Sequence, residues 1–167
     1  MAGSTIGLAP GYLSSFGNIT GPTDTDLETN ITAGSGLLGI AYGTIIENAI
    51  GGSNIDFIGG NGAANILYGG TGAGVIDFLN GFAGNDIFVC SLSDATTNFV
   101  FSDVIVGFTN GEDKIGLEDR VFGDLSILND SGHTQIVDTG SNKILFKLAD
   151  FDHTLIDSTD FIVTDFV

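Results

Sequence analysis

The chain has 167 residues, among them 26 glycines, thirteen phenylalanines, a single cysteine and no tryptophan. Twenty-one acidic residues against four basic ones give a formal net charge of −17, which is repelled by phosphate backbones and anionic lipid and argues against nucleic acid or membrane-surface partners. The lone Cys90 excludes an internal disulfide and a thiolate-built zinc site, and 43% hydrophobic residues argue against wholesale disorder.

Residues 1–44 form a Gly-, Ser- and Thr-rich N-terminal extension with an acidic knot at Asp24, Asp26 and Glu28. Helical periodicity is weak there, and Gly36 to Tyr42 is a short candidate strand. No Lys or Arg precedes Lys114, so the positive n-region of an ordinary secretory signal is missing. The longest uncharged stretches, Met1 to Thr23 and Thr29 to Ile46, are broken by glycine, proline and polar residues, and neither makes a membrane span.

Residues 45–117 carry a repeat in which an acid or amide is followed two residues later by an apolar residue. The series runs Asn48-Ala49-Ile50, Asp56-Phe57-Ile58, Asn65-Ile66-Leu67, Asp77-Phe78-Leu79 and Asp86-Ile87-Phe88, then Asp103-Val104-Ile105 and Asp113-Lys114-Ile115. From Asp56 to Asp86 the steps are nine, twelve and nine residues, and Gly51, Gly60, Gly72 and Gly81 mark the turns between them. Short strands joined by glycine turns at this period predict a parallel β-roll.

Residues 118–167 change character. Leu125 to Leu128, Thr134 to Val137 and Lys143 to Leu148 read as strands, separated by the turn formers Asn129-Asp130-Ser131-Gly132 and Gly140-Ser141-Asn142. They predict an antiparallel cap for the open end of the roll, which protects its strand edges from pairing with another chain.

The repeat also has a chemistry. A glycine turn leaves carbonyl oxygens pointing inward, and an aspartate at its end adds a charged oxygen. Stacked turns then offer six or more oxygens, the shell preferred by Ca²⁺ over the smaller Mg²⁺. Without an ion, two carboxylates about 5 Å apart at an effective dielectric of roughly 20 cost on the order of 3 kcal/mol per pair. Several such pairs would cancel a typical stability of about 5–15 kcal/mol, so calcium binding and folding are expected to be coupled.

These residues resemble the repeats-in-toxin (RTX) family. Gly51-Gly52-Ser53-Asn54-Ile55-Asp56-Phe57-Ile58 resembles its nonapeptide, and Gly81-Phe82-Ala83-Gly84-Asn85-Asp86-Ile87-Phe88-Val89 matches more closely. Ile46 to Gly52 is similar to the entry of the C-terminal β-roll of serralysin-type proteases. Asp103 to Phe108 and Gly111 to Ile115 are similar to its exit, and Thr134 to Val163 resembles the capping strands. The resemblance implies an all-β fold, a right-handed parallel β-roll followed by antiparallel capping strands, and Ca²⁺ as the bound ion. It implies one site from Gly52, Asn54 and Asp56 with Gly72, Gly74 and Asp77, and another from Asn61, Ala63 and Asn65 with Gly81, Ala83 and Asp86. Asp103 and Asp113 would close sites against the last turns. Asn65 stands where the family has aspartate, Ala63 and Val75 where it has glycine, and the step of twelve implies an insertion near Gly69 to Gly74, so one to three ions are expected. A degenerate roll held by apolar stacking without metal is the alternative.

The catalytic motif of a zinc protease, His-Glu-x-x-His, is missing: the two histidines, His133 and His153, stand apart and read as solvent-facing. No nucleophile elbow or phosphate-binding Gly-Lys-Ser/Thr sequence occurs, and Cys90, at a strand position, reads as a buried small hydrophobe. The chain is therefore expected not to be an enzyme. At the C-terminus Asp160-Phe161-Ile162-Val163 is echoed by Asp165-Phe166-Val167, which resembles the uncleaved signal of type I secretion substrates. The expected role is a secreted bacterial calcium-binding structural protein at the cell surface or outside it. It would be a surface-layer or filament subunit able to form a homo-oligomer, its N-terminal extension adding a strand to a neighbour. The competing reading is a detached folding and secretion module of a type I-secreted protease, lipase or epimerase system; an enzyme or inhibitor acting through residues 1–44 is a third.

Overall fold

A strand that turns one apolar side chain inward per coil can bury it only against a second sheet, and the repeat builds two. A computed structural model of the chain describes residues 4–9, 13–16, 36–39, 45–72, 74–118 and 120–163. The acidic knot at Asp24, Asp26 and Glu28 and the terminal Asp165-Phe166-Val167 lie outside the described residues. In chain order the strands are β1 (Thr5–Gly7), β2 (Leu13–Phe16), β3 (Gly36–Gly39), β4 (Asn48–Ile50), β5 (Phe57–Asn61), β6 (Ile66–Tyr68) and β7 (Phe78–Phe82). They continue with β8 (Ile87–Cys90), β9 (Val104–Ile105), β10 (Lys114–Leu117), β11 (Leu125–Asp130), β12 (His133–Asp138), β13 (Lys143–Leu148) and β14 (Phe161–Val163).

From β4 to β10 successive strands alternate between the two sheets, as a β-roll requires. One sheet runs β11-β12-β13-β9-β7-β5-β1-β2-β3 and the other β14-β10-β8-β6-β4. Pairing is parallel and in phase with the repeat: Phe57 lies beside Phe78, Phe78 beside Val104, Ile66 beside Ile87 and Ile87 beside Lys114. From Asp56 onward the apolar residue two places after each acid or amide points into the space between the sheets. In the first unit, Asn48-Ala49-Ile50, the sequence reading is out by one, because Ala49 lies beside Leu67 and is buried while Ile50 is exposed. Leu67, Leu79, Phe88, Ile105 and Ile115 are all 0% exposed between the sheets. Burial of each contributes about 1.5–3 kcal/mol, the main force holding the coils together. The intervening residue faces out, where the Phe57 and Phe78 rings stack 5.0 Å apart.

The turns need glycine for a steric reason. Gly84 has φ 117°, and a Cβ there would lie 2.5 Å from the Ala63 carbonyl oxygen of the turn stacked beside it. Gly84→Ala is expected to cost about 2 kcal/mol or more, seen as a lowered melting temperature. Gly123→Ala, where φ is ordinary and nothing lies within 4 Å, should leave it within about 2 °C of the parent.

The segments flanking the repeat are built into the same two sheets. Residues 5–7, expected as part of an extension, pair parallel with β5 of their own chain, and Leu8 enters the core. Of the strand expected over Gly36–Tyr42, Gly36–Gly39 is present as β3, antiparallel to β2, and residues 40–42 lie outside the described residues. Strands β11, β12 and β13 pair antiparallel, the first two through the two-residue turn Ser131-Gly132 with both φ positive, 55° and 93°. Strand β13 then lies parallel to β9, and β14 lies parallel to β10, so residues 118–163 lengthen both sheets. Among the described residues no helix is long and apolar enough to cross a membrane. Cys90 is buried with its thiol donating to the Leu145 carbonyl at 3.3 Å, and burial pushes its pKa well up, which leaves it an unreactive core residue. His133 and His153 each keep about a third of the side chain accessible, 33% in both cases.

Candidate metal centre

The aspartates that open the strands stack in two columns, one along each edge of the roll. Asp56, Asp77 and Asp103 precede β5, β7 and β9; Asn65, Asp86 and Asp113 precede β6, β8 and β10. Each column is tied by one repeated hydrogen bond, from the backbone N–H of one member to the carboxylate of the next. Asp56 N donates to Asp77 Oδ1 at 2.8 Å and Asp77 N to Asp103 Oδ1 at 2.9 Å. On the other edge Asn65 N donates to Asp86 Oδ1 at 2.8 Å and Asp86 N to Asp113 Oδ1 at 3.0 Å. All six side chains are buried. The Asp77 carboxylate thus turns toward the Asp56 backbone within one column.

Several side-chain oxygens turn back into their own turns. In three turns such an oxygen meets the N–H four residues earlier: Gly52 N reaches Asp56 Oδ2, Asn61 N reaches Asn65 Oδ1, and Thr109 N reaches Asp113 Oδ2. The fourth turn differs. Phe82 has φ 70°, and its N–H is drawn to Asn80 Oδ1 at 2.9 Å instead. Asp86 Oδ2 is left buried with no hydrogen-bond partner. An orphaned buried carboxylate oxygen costs several kcal/mol unless a cation or proton meets it, so this turn fits a hard cation.

In the first turn pair Asp56 lies beside Asp77 and Gly52 beside Gly70, while a Cβ at Gly74 would have nothing within 4 Å. Thr71 N donates to the Gly52 carbonyl at 2.9 Å, and Val75 N to the Gly72 carbonyl at 2.7 Å, so each keeps one lone pair for another partner. Asn54 is half-buried, and Gly74, with φ 91°, is exposed. The second pair brings Asn61, Ala63 and Asn65 beside Gly81, Ala83 and Asp86, and Ala83 N reaches the Asn61 carbonyl at 3.3 Å. Asp103 and Asp113 stand one coil further along the same two columns.

Among the described residues, the group of carboxylates able to hold a metal includes one that the repeat does not single out. Asp77, Asp94 and Asp103 are all buried and offer oxygens within 4.8 Å of one another. Asp94 comes from the excursion between β8 and β9, held by Gly72 N donating to its Oδ1 at 2.6 Å. Its only sequence signal is an acid in the turn-forming Ser91-Leu92-Ser93-Asp94, outside the phase of the repeat. Burial, opposed by the Asp56 N–H and reinforced by the Asp56 and Asp94 charges, pushes the Asp77 pKa up to about 7. Burial likewise raises Asp94 and Asp103, which share a hydrogen bond, and the facing Asp77 charge raises Asp103 further. Burial, with the Asp113 charge added, pushes Asp86 up to about 6, and burial also raises Asp113. Charged carboxylates are therefore disfavoured here by the protein alone. A divalent ion would invert that preference, and an all-oxygen donor set of carboxylates and turn carbonyls suits Ca²⁺.

Residues 28–129, more than half of the chain, match the family described as peptidase M10 serralysin C terminal. No curated protein matches the chain.

Proposed function

The chain belongs to the peptidase M10 serralysin C-terminal family, and we propose that it is a non-enzymatic calcium-binding β-roll protein whose ions lock stacked turns together. The observation that carries this reading is the buried trio Asp77, Asp94 and Asp103, within 4.8 Å of one another. The unpartnered Asp86 Oδ2 on the opposite edge supports it. Asp77, Asp94 and Asp103 would hold one ion, and Asp86 with Asp113 another. Gly52, Asn54 and Asp56 with Gly72 and Gly74, and Asn61, Ala63 and Asn65 with Gly81 and Ala83, would supply turn oxygens between the coils. A bound cation would neutralise the buried charge of these carboxylates.

The proposal includes right-handed winding, the rule for parallel crossovers, and a capping role for β11, β12 and β13 in a unit of residues 118–167 that follows a roll of 45–117. It also includes an extracellular or cell-surface location reached by type I secretion, and a structural role in which copies associate. The outer strand β3, at one end of the nine-stranded order, offers the edge for such pairing. The second reading is a folding and secretion module serving a larger enzyme system. Electron microscopy with calcium and with chelator separates the two: ordered polymers support a subunit, and persistent monomers support the module.

A calcium titration of the chelator-treated protein, followed by isothermal calorimetry, tests the binding itself. Asp103→Asn is expected to weaken the tightest site at least about tenfold, because a buried charged ligand is lost. Identical isotherms for parent and variant would remove Asp103 from the site.

A further inference from the structure

Asn65 stands at the head of one column with Asn61 four residues before it, and both are buried as the aspartates are, at 1% and 8% exposure. Unlike Asp86, they leave no side-chain polar atom without a partner. Asn65 Oδ1 accepts from Asn61 N at 2.8 Å, and its Nδ2 donates to the Ile46 carbonyl at 3.1 Å and the Glu47 carbonyl at 3.2 Å. Asn61 Oδ1 accepts from Ala63 N at 2.7 Å, and its Nδ2 donates to the Ile46 carbonyl at 2.7 Å and the Leu8 carbonyl at 3.3 Å. These partners fix the orientation of both amides, since an N–H faces each oxygen and carbonyls face each nitrogen.

The Ile46 and Glu47 carbonyls belong to the coil stacked before Asn65, for Glu47 O also accepts from Ile66 N at 2.8 Å. An aspartate at position 65 would aim its second oxygen at those carbonyls. Three negative oxygen ends would then face one another, an arrangement stable only around a cation or a proton. The amide resolves the conflict by supplying two N–H donors where the ion would sit. We propose that Asn61 and Asn65 form a built-in clasp that replaces a calcium ion between backbone 46–47 and the turn 61–65. The first coils of the roll are thereby closed without metal, and calcium dependence begins at Asp77 and Asp86. Asn65 Oδ1 still faces its own turn, so the clasp leaves the next turn pair free to bind. The inference deepens the calcium-binding reading above and rests on it for the contrast between the two ends.

Hydrogen exchange on the full chain, in chelator and in saturating calcium, tests the clasp. In the parent protein the amides of Asn61 and Ile66 should already be protected in chelator, while those of Asp77 and Asp86 gain protection with calcium. In Asn65→Asp the protection of Asn61 and Ile66 should fall at least about tenfold in chelator and return in calcium, because a carboxylate meets unpaired carbonyls until an ion arrives. Native mass spectrometry of Asn65→Asp should count one more calcium than the parent. Loss of protection at Asn61 and Ile66 in the chelated parent overturns the clasp. So does an Asn65→Asp protein that keeps that protection in chelator, or binds no additional ion. Absence of any calcium effect at Asp77 and Asp86 sinks the calcium-binding reading instead, and the chelator arms still judge the clasp.

Discussion

Moving the calcium-free protein from about pH 5 to about pH 8 is expected to lower its melting temperature by roughly 10 °C, and saturating calcium to restore it at the higher pH. Burial raises the folded pKa of Asp77 to about 7 and of Asp86 to about 6, against an ordinary value of 3.8. Between these values the folded chain holds protons that the unfolded chain has released. The contribution of such groups is complete below the unfolded pKa and disappears as pH climbs through the folded one. Asp77 alone accounts for a loss on the order of 3 kcal/mol. Asp138 acts in the opposite window. The Ser141 hydroxyl and N–H, with Arg120, lower its pKa, so its contribution is present at neutral pH and disappears in acid. Calcium binds the deprotonated carboxylates, so its stabilising effect should grow with pH. A thermal melt series over pH, with and without calcium, checks this; a melting temperature that is flat with pH in chelator contradicts the burial of these charges.

Phe88→Ala should destabilise by about 3–5 kcal/mol, with or without calcium, because it empties the centre of the core. The ring is 0% exposed, lies in β8 and packs against Phe108 with centroids 6.2 Å apart. Phe57→Ala, on the outer face where the residue is 51% exposed, should cost far less, about 1 kcal/mol. Urea unfolding of the two variants gives the comparison, and equal losses would mean that the sheets do not enclose the core as described.

The roll was legible because its period is short and each unit from Asp56 onward repeats one decision. An acid or amide begins the strand, the next side chain faces out, and the one after faces in, which is why Ile58, Leu67, Leu79, Phe88, Ile105 and Ile115 line one interior. The strands near Leu125, Thr134 and Lys143 were legible from alternation and from the Ser131-Gly132 turn. Their parallel junction with β9 was not, since nothing in Lys143 to Leu148 names its partner. The role of residues 5–7 was hidden for a similar reason: three residues carry too little pattern to reveal a strand, and the partner β5 lies some fifty positions away. Both columns of aspartates could be read from spacing. Asp94 could not, because the excursion that delivers it to Asp77 and Asp103 is out of phase with the repeat. Asn65 was readable as a departure from aspartate, but the direction of its amide depends on the Ile46 and Glu47 carbonyls of another coil.

Anomalous scattering from crystals grown in calcium tests the central claim most directly. Peaks are expected along both edges of the roll, one among Asp77, Asp94 and Asp103 and one at Asp86, about 2.3–2.6 Å from their carboxylate oxygens. Crystals saturated with calcium that show intact stacked turns and no anomalous peak at either place would contradict the account.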